Sequence, residues 1–134
     1  MVILILGGPG EIELAAGVSS ASEGAAVSIA GEETLETLPG VLAGLDLFIS
    51  GDTGPLHIAA LAGVKTISFF GPTDHRRTAP RGALHRTLRR EMECSPCFER
   101  ECPLGHHNCM KEITPEVAEE EVKEILKASV GAAE

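Results

Sequence analysis

The chain has 134 residues, of which 43% are hydrophobic, so it is long enough to form one domain with a buried core. Its 20 acidic residues outnumber its 11 basic residues and it has no Trp or Tyr, which argues against nucleic-acid binding through a basic face or stacked aromatic rings. No run of about 18 apolar residues is present to span a membrane, and the apolar start is too short for a signal peptide, so we predict a soluble, cytoplasmic protein.

In chain order, short apolar runs alternate with helical patterns. The predicted strands cover residues 2–6, 25–30, 47–49 and 65–70, and the predicted helices cover 11–20, 34–42 and 55–63. Pro39 is expected to shorten or kink the second helix. Because the strands lack apolar–polar alternation and are separated by helices, they predict an α/β fold: a doubly wound, Rossmann-like parallel sheet of about four strands. Right-handed crossovers place the second strand outside the first, and the third and fourth on the other side.

Loops rich in glycine follow three of these strands. They read GGPG at residues 7–10, GDTG at 51–54 and GPTD at 71–74. The strand order reverses between the first and third strands, so the first two loops are predicted to face each other across a crevice of the kind that binds ligands. The helix from Pro55 to Gly63 offers unpaired backbone N–H groups at its start, which suit a phosphate. A plain turn is the alternative for any one of these loops.

These motifs carry a family resemblance. The sequences LGGPGE at 6–11, DTGPLH at 52–57 and FGPTD at 70–74, with the cysteine-rich tail and ITPE at 113–116, resemble the donor half of glycosyltransferase family 9, the ADP-heptose:lipopolysaccharide heptosyltransferases. Members have two Rossmann-like domains in the GT-B arrangement, and the resemblance is to the second. It implies one donor domain over residues 1–134, with a Cys-rich loop at 91–112 and a C-terminal helix at 115–128.

The resemblance also implies a reaction. A sugar would pass from an ADP-heptose-like donor to an acidic, lipopolysaccharide-type glycolipid acceptor with inversion, and no cofactor would be required. The family's first domain with its base is absent, as are the first strand of the donor domain and the basic loop after it, so we expect the isolated chain to be inactive. The missing strand would leave a gap in the sheet that either closes or is filled by another chain, which favours a homodimer. The cytoplasmic location could include a peripheral position at the inner membrane.

Residues of the GDTG corner fit a nucleotide sugar. Thr53 and Gly54 would donate to the diphosphate, with an ordinary Thr N-cap as the alternative. Asp52 would accept hydrogen bonds from sugar hydroxyls, or act as a solvent-facing cap. His57 would donate to a phosphate oxygen and stabilise the leaving nucleotide, or be structural.

Other loops supply further candidates. Gly8 allows a ligand to approach the main chain, and Glu11 could bind ribose hydroxyls, with a first-turn helix acid as the alternative. Glu33, in the GEE sequence at 31–33, would lie at the edge of the pocket that holds the nucleotide base. Thr73 is expected to be a helix cap first and a ligand contact second.

Four cysteines cluster near the end of the chain. Cys94, Cys97, Cys102 and Cys109 are interleaved with His106 and His107. In a cytosolic protein this spacing suggests a metal site, and zinc held by four thiolates would be structural because no ligand position stays open. Two disulfides or four free thiols are the alternatives.

Six of the eleven basic residues follow the third loop. They are Arg76, Arg77, Arg81, Arg86, Arg89 and Arg90. A solvated charge run is the preferred interpretation, and contact with an anionic acceptor or the missing domain is the alternative. The last helix, capped by Thr114, places four apolar residues on one face that should pack on the sheet: Ala118, Val122, Ile125 and Leu126.

Two functions from other classes stay open. One is a nucleotide-binding module without catalysis. The other is a protein-interaction domain in which zinc stabilises the cysteine loop and the glycine loops are only turns.

Overall fold

A computed structural model describes the backbone of residues 1–132 and the side chains of residues 1–128. The chain divides into two compact units, Met1–Val41 and Leu42–Glu134. Within the described part, no helix is both long and apolar enough to cross a bilayer.

The first unit is a strand–helix–strand crossover. Strand β1 (Ile3–Ile5) leads through a 3₁₀ turn (Pro9–Glu11) into helix α1 (Ile12–Ala21), and the chain returns in strand β2 (Ala26–Ser28). The two strands pair in parallel with Ile3 opposite Ala26. The crossover predicted from the apolar runs is therefore present.

Helix α2 (Leu38–Ala43) is shorter than the predicted 34–42. Thr34 and Thr37 bond to each other's backbone N–H groups in a turn before it. Pro39 lies in the first turn, where a proline costs no backbone hydrogen bond, so it shortens the helix rather than kinking it.

The second unit contains a three-stranded parallel sheet. Its strands are β3 (Leu47–Gly51), β4 (Lys65–Phe70) and β5 (His85–Arg89), in that order. Between them lie helices α3 (Gly54–Leu61) and α4 (His75–Thr78). Strand β5 was not predicted, because its arginines resemble a solvated run, yet Leu88 is buried and Thr66 pairs with His85 across the strands. The Ser68 hydroxyl, fully buried on β4, donates to the carbonyl of Arg86.

The C-terminal helix packs on this sheet. After the short helix α5 (Asn108–Lys111), helix α6 (Pro115–Ala132) buries Ile125 against Ile67 and Leu88. The other residues of the predicted apolar face, Ala118, Val122 and Leu126, surround that cluster. The predicted packing is confirmed.

The predicted α/β class with parallel strands is confirmed. The five described strands make two sheets, β1–β2 and β3–β4–β5. An apolar run shows that a segment is a buried strand but not which neighbour its edge pairs with. The predicted single domain and the crevice between the first two glycine loops stay predictions.

Candidate functional site

The GDTG corner connects β3 to α3. Thr53 is the N-cap residue with an extended backbone, but its hydroxyl makes no capping bond and lies 2.8 Å from the Ser50 hydroxyl. The alternative of an ordinary Thr side-chain cap is therefore not what the structure shows. The backbone N–H groups of the first turn of α3 are left without a side-chain partner, which leaves them available to an anion.

The far end of α3 is closed by its own backbone. Gly63 has a φ of 77°, and its N–H donates to Ala60 while the N–H of Val64 donates to Ala59, which is the Schellman arrangement. The side chains of Leu56 and Ala59, on the inner face of this helix, are fully buried. The C-terminal end of the helix is thus closed by its own backbone, and the buried Leu56 anchors its first turn.

The carboxylate of Asp52 is held on both of its oxygens. Oδ1 lies 3.4 Å from Nε2 of His57, and Oδ2 accepts a hydrogen bond of 3.0 Å from the hydroxyl of Thr78. The side chain of Asp52 is 16% exposed and that of His57 is 44% exposed. The pair therefore presents an oriented carboxylate and an accessible imidazole beside the open helix start.

Thr78 reaches Asp52 from α4. That helix is capped by Asp74, whose Oδ1 accepts from the backbone N–H of Arg76 at 3.0 Å, so the predicted cap at Thr73 is wrong by one residue. The guanidinium of Arg76 also bonds to Asp74, and this hydrogen bond holds the pKa of the Asp74 carboxyl below its usual value. The cap fixes α4, and α4 in turn positions the Thr78 hydroxyl.

The candidates of the first unit have local partners. Glu11 accepts from the backbone N–H of Gly8 at 2.7 Å, and Glu33 accepts from the hydroxyl of Thr37 at 2.8 Å. The Glu11 side chain thus bonds to the backbone at the start of its own 3₁₀ turn, as the first-turn alternative expects. The predicted roles of Gly8, Glu11 and Glu33 in binding ribose and base stay predictions.

Thr73 lines a separate cavity of about 520 Å³ in the second unit. Asp74, Arg76 and Arg89 share that lining, whereas Asp52 and His57 are not part of it. The predicted ligand contact of Thr73 stays a prediction.

The cysteine loop surrounds a smaller cavity. Cys94, Cys97, Cys102 and Cys109 are free thiols that line a space of about 60 Å³ together with His106 and His107. The loop docks on the end of β4, where the Ser95 hydroxyl donates to the carbonyl of Gly71 and the N–H of Phe98 donates to that of Pro72. Among the described residues, no three His, Cys, Asp or Glu side chains are arranged to hold a metal ion. The structural zinc stays a prediction.

The surroundings of two of the thiols shift their pKa values in opposite directions. The pKa of Cys102 is lowered by the N–H of His107, which points to its sulfur, while burial raises the pKa of Cys109. Cys109 Sγ also fills the space that a side chain at Gly71 would occupy.

Most of the basic run is bound within the chain. Arg89 pairs with Glu91 at 2.7 Å and Arg86 approaches Glu121 at 3.7 Å, while Arg90 and Arg81 donate to backbone carbonyls. These arginines shape the surface of the second unit rather than forming a free cationic patch.

A family model described as glycosyltransferase family 9 (heptosyltransferase) matches residues 1–108. The chain belongs to glycosyltransferase family 9. The resemblance carried by the glycine loops is confirmed.

Curated family 9 relatives support this assignment. Lipooligosaccharide heptosyltransferase 2 of Campylobacter jejuni is 39% identical over 103 residues, covering 76% of this chain and 32% of that protein. Lipopolysaccharide heptosyltransferase 1 of Pseudomonas aeruginosa is 36% identical over 89 residues, covering 66% of this chain and 23% of that protein. The chain thus spans about a third or less of the length of these relatives.

Solved structures share the fold. The Escherichia coli ADP-heptose lps heptosyltransferase II superposes with a TM-score of 0.78 at 21% identity, over 94% of this chain and 36% of that one. A family 9 glycosyl transferase from Veillonella parvula gives a TM-score of 0.78 at 20% identity, over 93% and 36% of the two chains.

Sequence reasoning missed Thr78 as a site residue of this family 9 chain. It lies 26 residues after Asp52, in a stretch that contains no glycine motif, and only the pairing of β3 with β4 brings it near. A hydroxyl one turn after a capping Asp was the only local signal.

Proposed function

We propose that the chain is the nucleotide-diphosphate-sugar-binding domain of a heptosyltransferase-like glycosyltransferase. Its donor is ADP-heptose or a similar nucleotide sugar, its acceptor is of the lipopolysaccharide type, and transfer proceeds with inversion and without a required cofactor. The observation that carries the proposal is the Asp52 carboxylate held between His57 and Thr78 at the open start of α3. The names of the curated relatives supply the sugar and acceptor classes.

The geometry supports a role for each residue. The backbone N–H groups at Thr53 and Gly54 bind the diphosphate, because the helix start is electropositive and has no side-chain cap. His57 donates a hydrogen bond to a phosphate oxygen and so stabilises charge on the departing nucleotide. Asp52 keeps the imidazole oriented and accepts hydrogen bonds from sugar hydroxyls with its remaining lone pairs.

Activation of the acceptor requires a base, and we assign it to the part of the longer relatives that this chain does not match. The isolated chain is accordingly proposed to be inactive in transfer. We further propose that the protein acts in the cytoplasm or peripherally at the inner membrane, where it would reach a glycolipid acceptor.

Calorimetry with ADP, an ADP-sugar and a UDP-sugar tests the binding proposal. We expect the adenine nucleotides to bind, and Asp52→Ala and His57→Ala each to weaken ADP-sugar binding by about tenfold, since hydrogen bonds that involve charged groups contribute about 1.5–3 kcal/mol. Asp46→Ala is the matched control, because Asp46 is an exposed carboxylate just before β3. Equal affinity of the Asp52 and Asp46 variants would contradict the proposal.

A transfer assay separates a catalytic domain from a binding module. We expect no turnover by the chain alone, and turnover when the acceptor-binding part of a relative is added. If nucleotide binding is present but the mixture stays inactive, the chain is a non-catalytic module.

A further inference from the structure

Two hydroxyl groups of the GDTG corner are paired with each other. The Oγ of Ser50 lies 2.8 Å from the Oγ1 of Thr53. Ser50 belongs to strand β3, whose pairing with β4 places it opposite Ser68, whereas Thr53 follows the strand and is the N-cap residue of α3. One hydroxyl is therefore carried by the sheet and the other by the first residue of a helix.

Thr53 already has the backbone conformation of a capping residue. Its φ of −137° and ψ of 162° are extended, as is typical of an N-cap, whose side-chain oxygen accepts from the N–H of the second or third helical residue. The second residue of α3 is Pro55, which has no N–H, so the N–H of Leu56 is the one that a Thr53 cap would take. A rotation of the Thr53 side chain about its Cα–Cβ bond separates the observed arrangement from the capped one.

The two arrangements compete for one oxygen. A helix cap and a hydrogen bond between two hydroxyls contribute similar free energies, so the presence of Ser50 decides which of them forms. While the Thr53 hydroxyl is bonded to Ser50, no side chain occupies the N–H of Leu56, and an anion can reach it. When Ser50 donates in this pair, the Thr53 hydroxyl also keeps its own proton for a ligand oxygen.

We infer that Ser50 is a positioning residue, which draws the Thr53 hydroxyl away from α3 and so keeps the start of this helix open for a phosphate group. The inference rests on the proposed nucleotide-binding function, because it assigns Ser50 a role at that same site. Ser50 acts through Thr53 and does not contact the ligand itself. With a phosphate bound, hydrogen bonds run from Ser50 to Thr53 and from Thr53 to a phosphate oxygen, and each strengthens the other.

Nuclear magnetic resonance of the ligand-free chain tests the competition. In Ser50→Ala we expect the Thr53 hydroxyl to cap the helix, so the Leu56 amide proton should exchange with solvent at least about threefold more slowly than in the parent. The three-bond couplings to the Thr53 methyl carbon should change to those of another staggered rotamer. Ser50→Thr keeps the hydroxyl and should retain both parental values. Parental values of either quantity in Ser50→Ala would overturn the inference.

Calorimetry with ADP measures the consequence for binding. Ser50→Ala should weaken ADP binding about two- to tenfold, the loss that corresponds to one hydrogen bond, and Ser50→Thr should restore the parental affinity. Ser20→Ala, at an exposed serine near the end of α1, is the control and should bind ADP as the parent does. Equal affinities of the Ser50→Ala and Ser20→Ala variants would contradict the inference.

A second background shows whether Ser50 acts through Thr53. Valine has the shape of threonine without the hydroxyl, so no cap can form in Thr53→Val, and adding Ser50→Ala there should change the ADP affinity by less than about twofold. The full loss in that background would overturn the inference, because Ser50 would then act by another route. The two proposals fail separately: a parent chain that binds no ADP contradicts the nucleotide function, whereas the exchange of Leu56 and the rotamer of Thr53 are measured without any ligand.

Discussion

Asp52 shows how one side chain can organise a site. Its Oδ2 accepts a hydrogen bond from the Thr78 hydroxyl and its Oδ1 lies 3.4 Å from the His57 imidazole, and these two groups come from different helices. A fixed carboxylate loses little conformational entropy when a ligand binds. The hydroxyl of Thr78 is therefore expected to position the Asp52 carboxylate without touching the ligand itself.

Replacement of Thr78 tests this role. We expect Thr78→Val to weaken ADP-sugar binding by about 0.5–1.5 kcal/mol, since one hydrogen bond to Asp52 is lost, and Thr78→Ser to restore it. Calorimetry measures the affinity, and thermal unfolding checks that both variants fold. If the Val and Ser variants bind alike, Thr78 does not position Asp52.

Asp74 gives a prediction of pH dependence. Its pKa is lowered in the folded protein by hydrogen bonds and charge from Arg76, so the ionised form stabilises the fold above the unfolded-state pKa, and this stabilisation is lost as the pH falls through the folded-state pKa. We expect Asp74→Asn to lower the free energy of unfolding at pH 7 and to approach the parent as the pH falls below about 4. Urea unfolding at several pH values measures both; a constant difference from pH 7 to pH 3 would contradict it.

At the scale of elements, α3 is defined by its ends. Pro55 suits its first turn, and Gly63 adopts the left-handed conformation that closes the Schellman arrangement. The platform for a diphosphate depends on both ends remaining in place.

Glycine substitutions test the closure of α3. Gly63→Ala should lower the free energy of unfolding by about 1 kcal/mol, because alanine is strained at a φ of 77°. Gly17→Ala is the control: Gly17 lies inside α1 with open space around its Cα, and alanine there should stabilise the protein by about 0.5–1 kcal/mol. Urea unfolding should show opposite signs, and equal signs would refute the assignment.

The cysteine loop has the composition of a loop that is stabilised by a bound metal ion. Its four thiols share one cavity and are reduced, and it docks on β4 where Gly71 leaves room for Cys109. Thiolates that close around an ion would add stability that the few apolar residues of the loop do not supply.

We therefore keep the prediction of about one zinc ion per chain when the protein is prepared reduced and without chelator. Elemental analysis measures it, with Cys94→Ser as a variant that should lose the metal and unfold at lower temperature. The prediction would be wrong if elemental analysis found no metal and mass spectrometry showed that the cysteines form disulfides.

At the scale of the whole molecule, the first unit exposes many apolar side chains. Leu14 is 72% exposed on α1, and Leu35 is 86% exposed before α2. Val18 and Val27 are more than half exposed as well. Apolar surface of this kind is common at sites of association.

We predict that the chain self-associates. Light scattering should show a mass above that of one chain at high concentration, and Leu14→Glu should shift the equilibrium toward the monomer, since a charge would then have to be buried. Glu13→Gln, on the neighbouring exposed position, is the control. A strict monomer at every concentration would refute the prediction.

Much of the candidate site was predictable because it is local. The residues of the GDTG corner and of α3 follow one another in the chain, and glycine, proline and small polar residues have strong local preferences. The apolar face of α6 was predictable for the same reason, since a helix displays its periodicity directly in the sequence. Strand β5 was missed because its sequence contains His85, Arg86 and Arg89 and therefore lacks an apolar run, although Leu88 is buried.

The sequence by itself determined the α/β class, the approximate positions of most elements and the corner that begins α3, because each depends on residues that are near in the chain. Only the tertiary structure decided that β5 pairs with β4, that Thr78 donates to Asp52 across 26 positions, and that arginines pair with nearby carboxylates. Those features depend on which strands pair and where a distant helix lies. Pairing is set by the packing of whole elements, which no local pattern encodes.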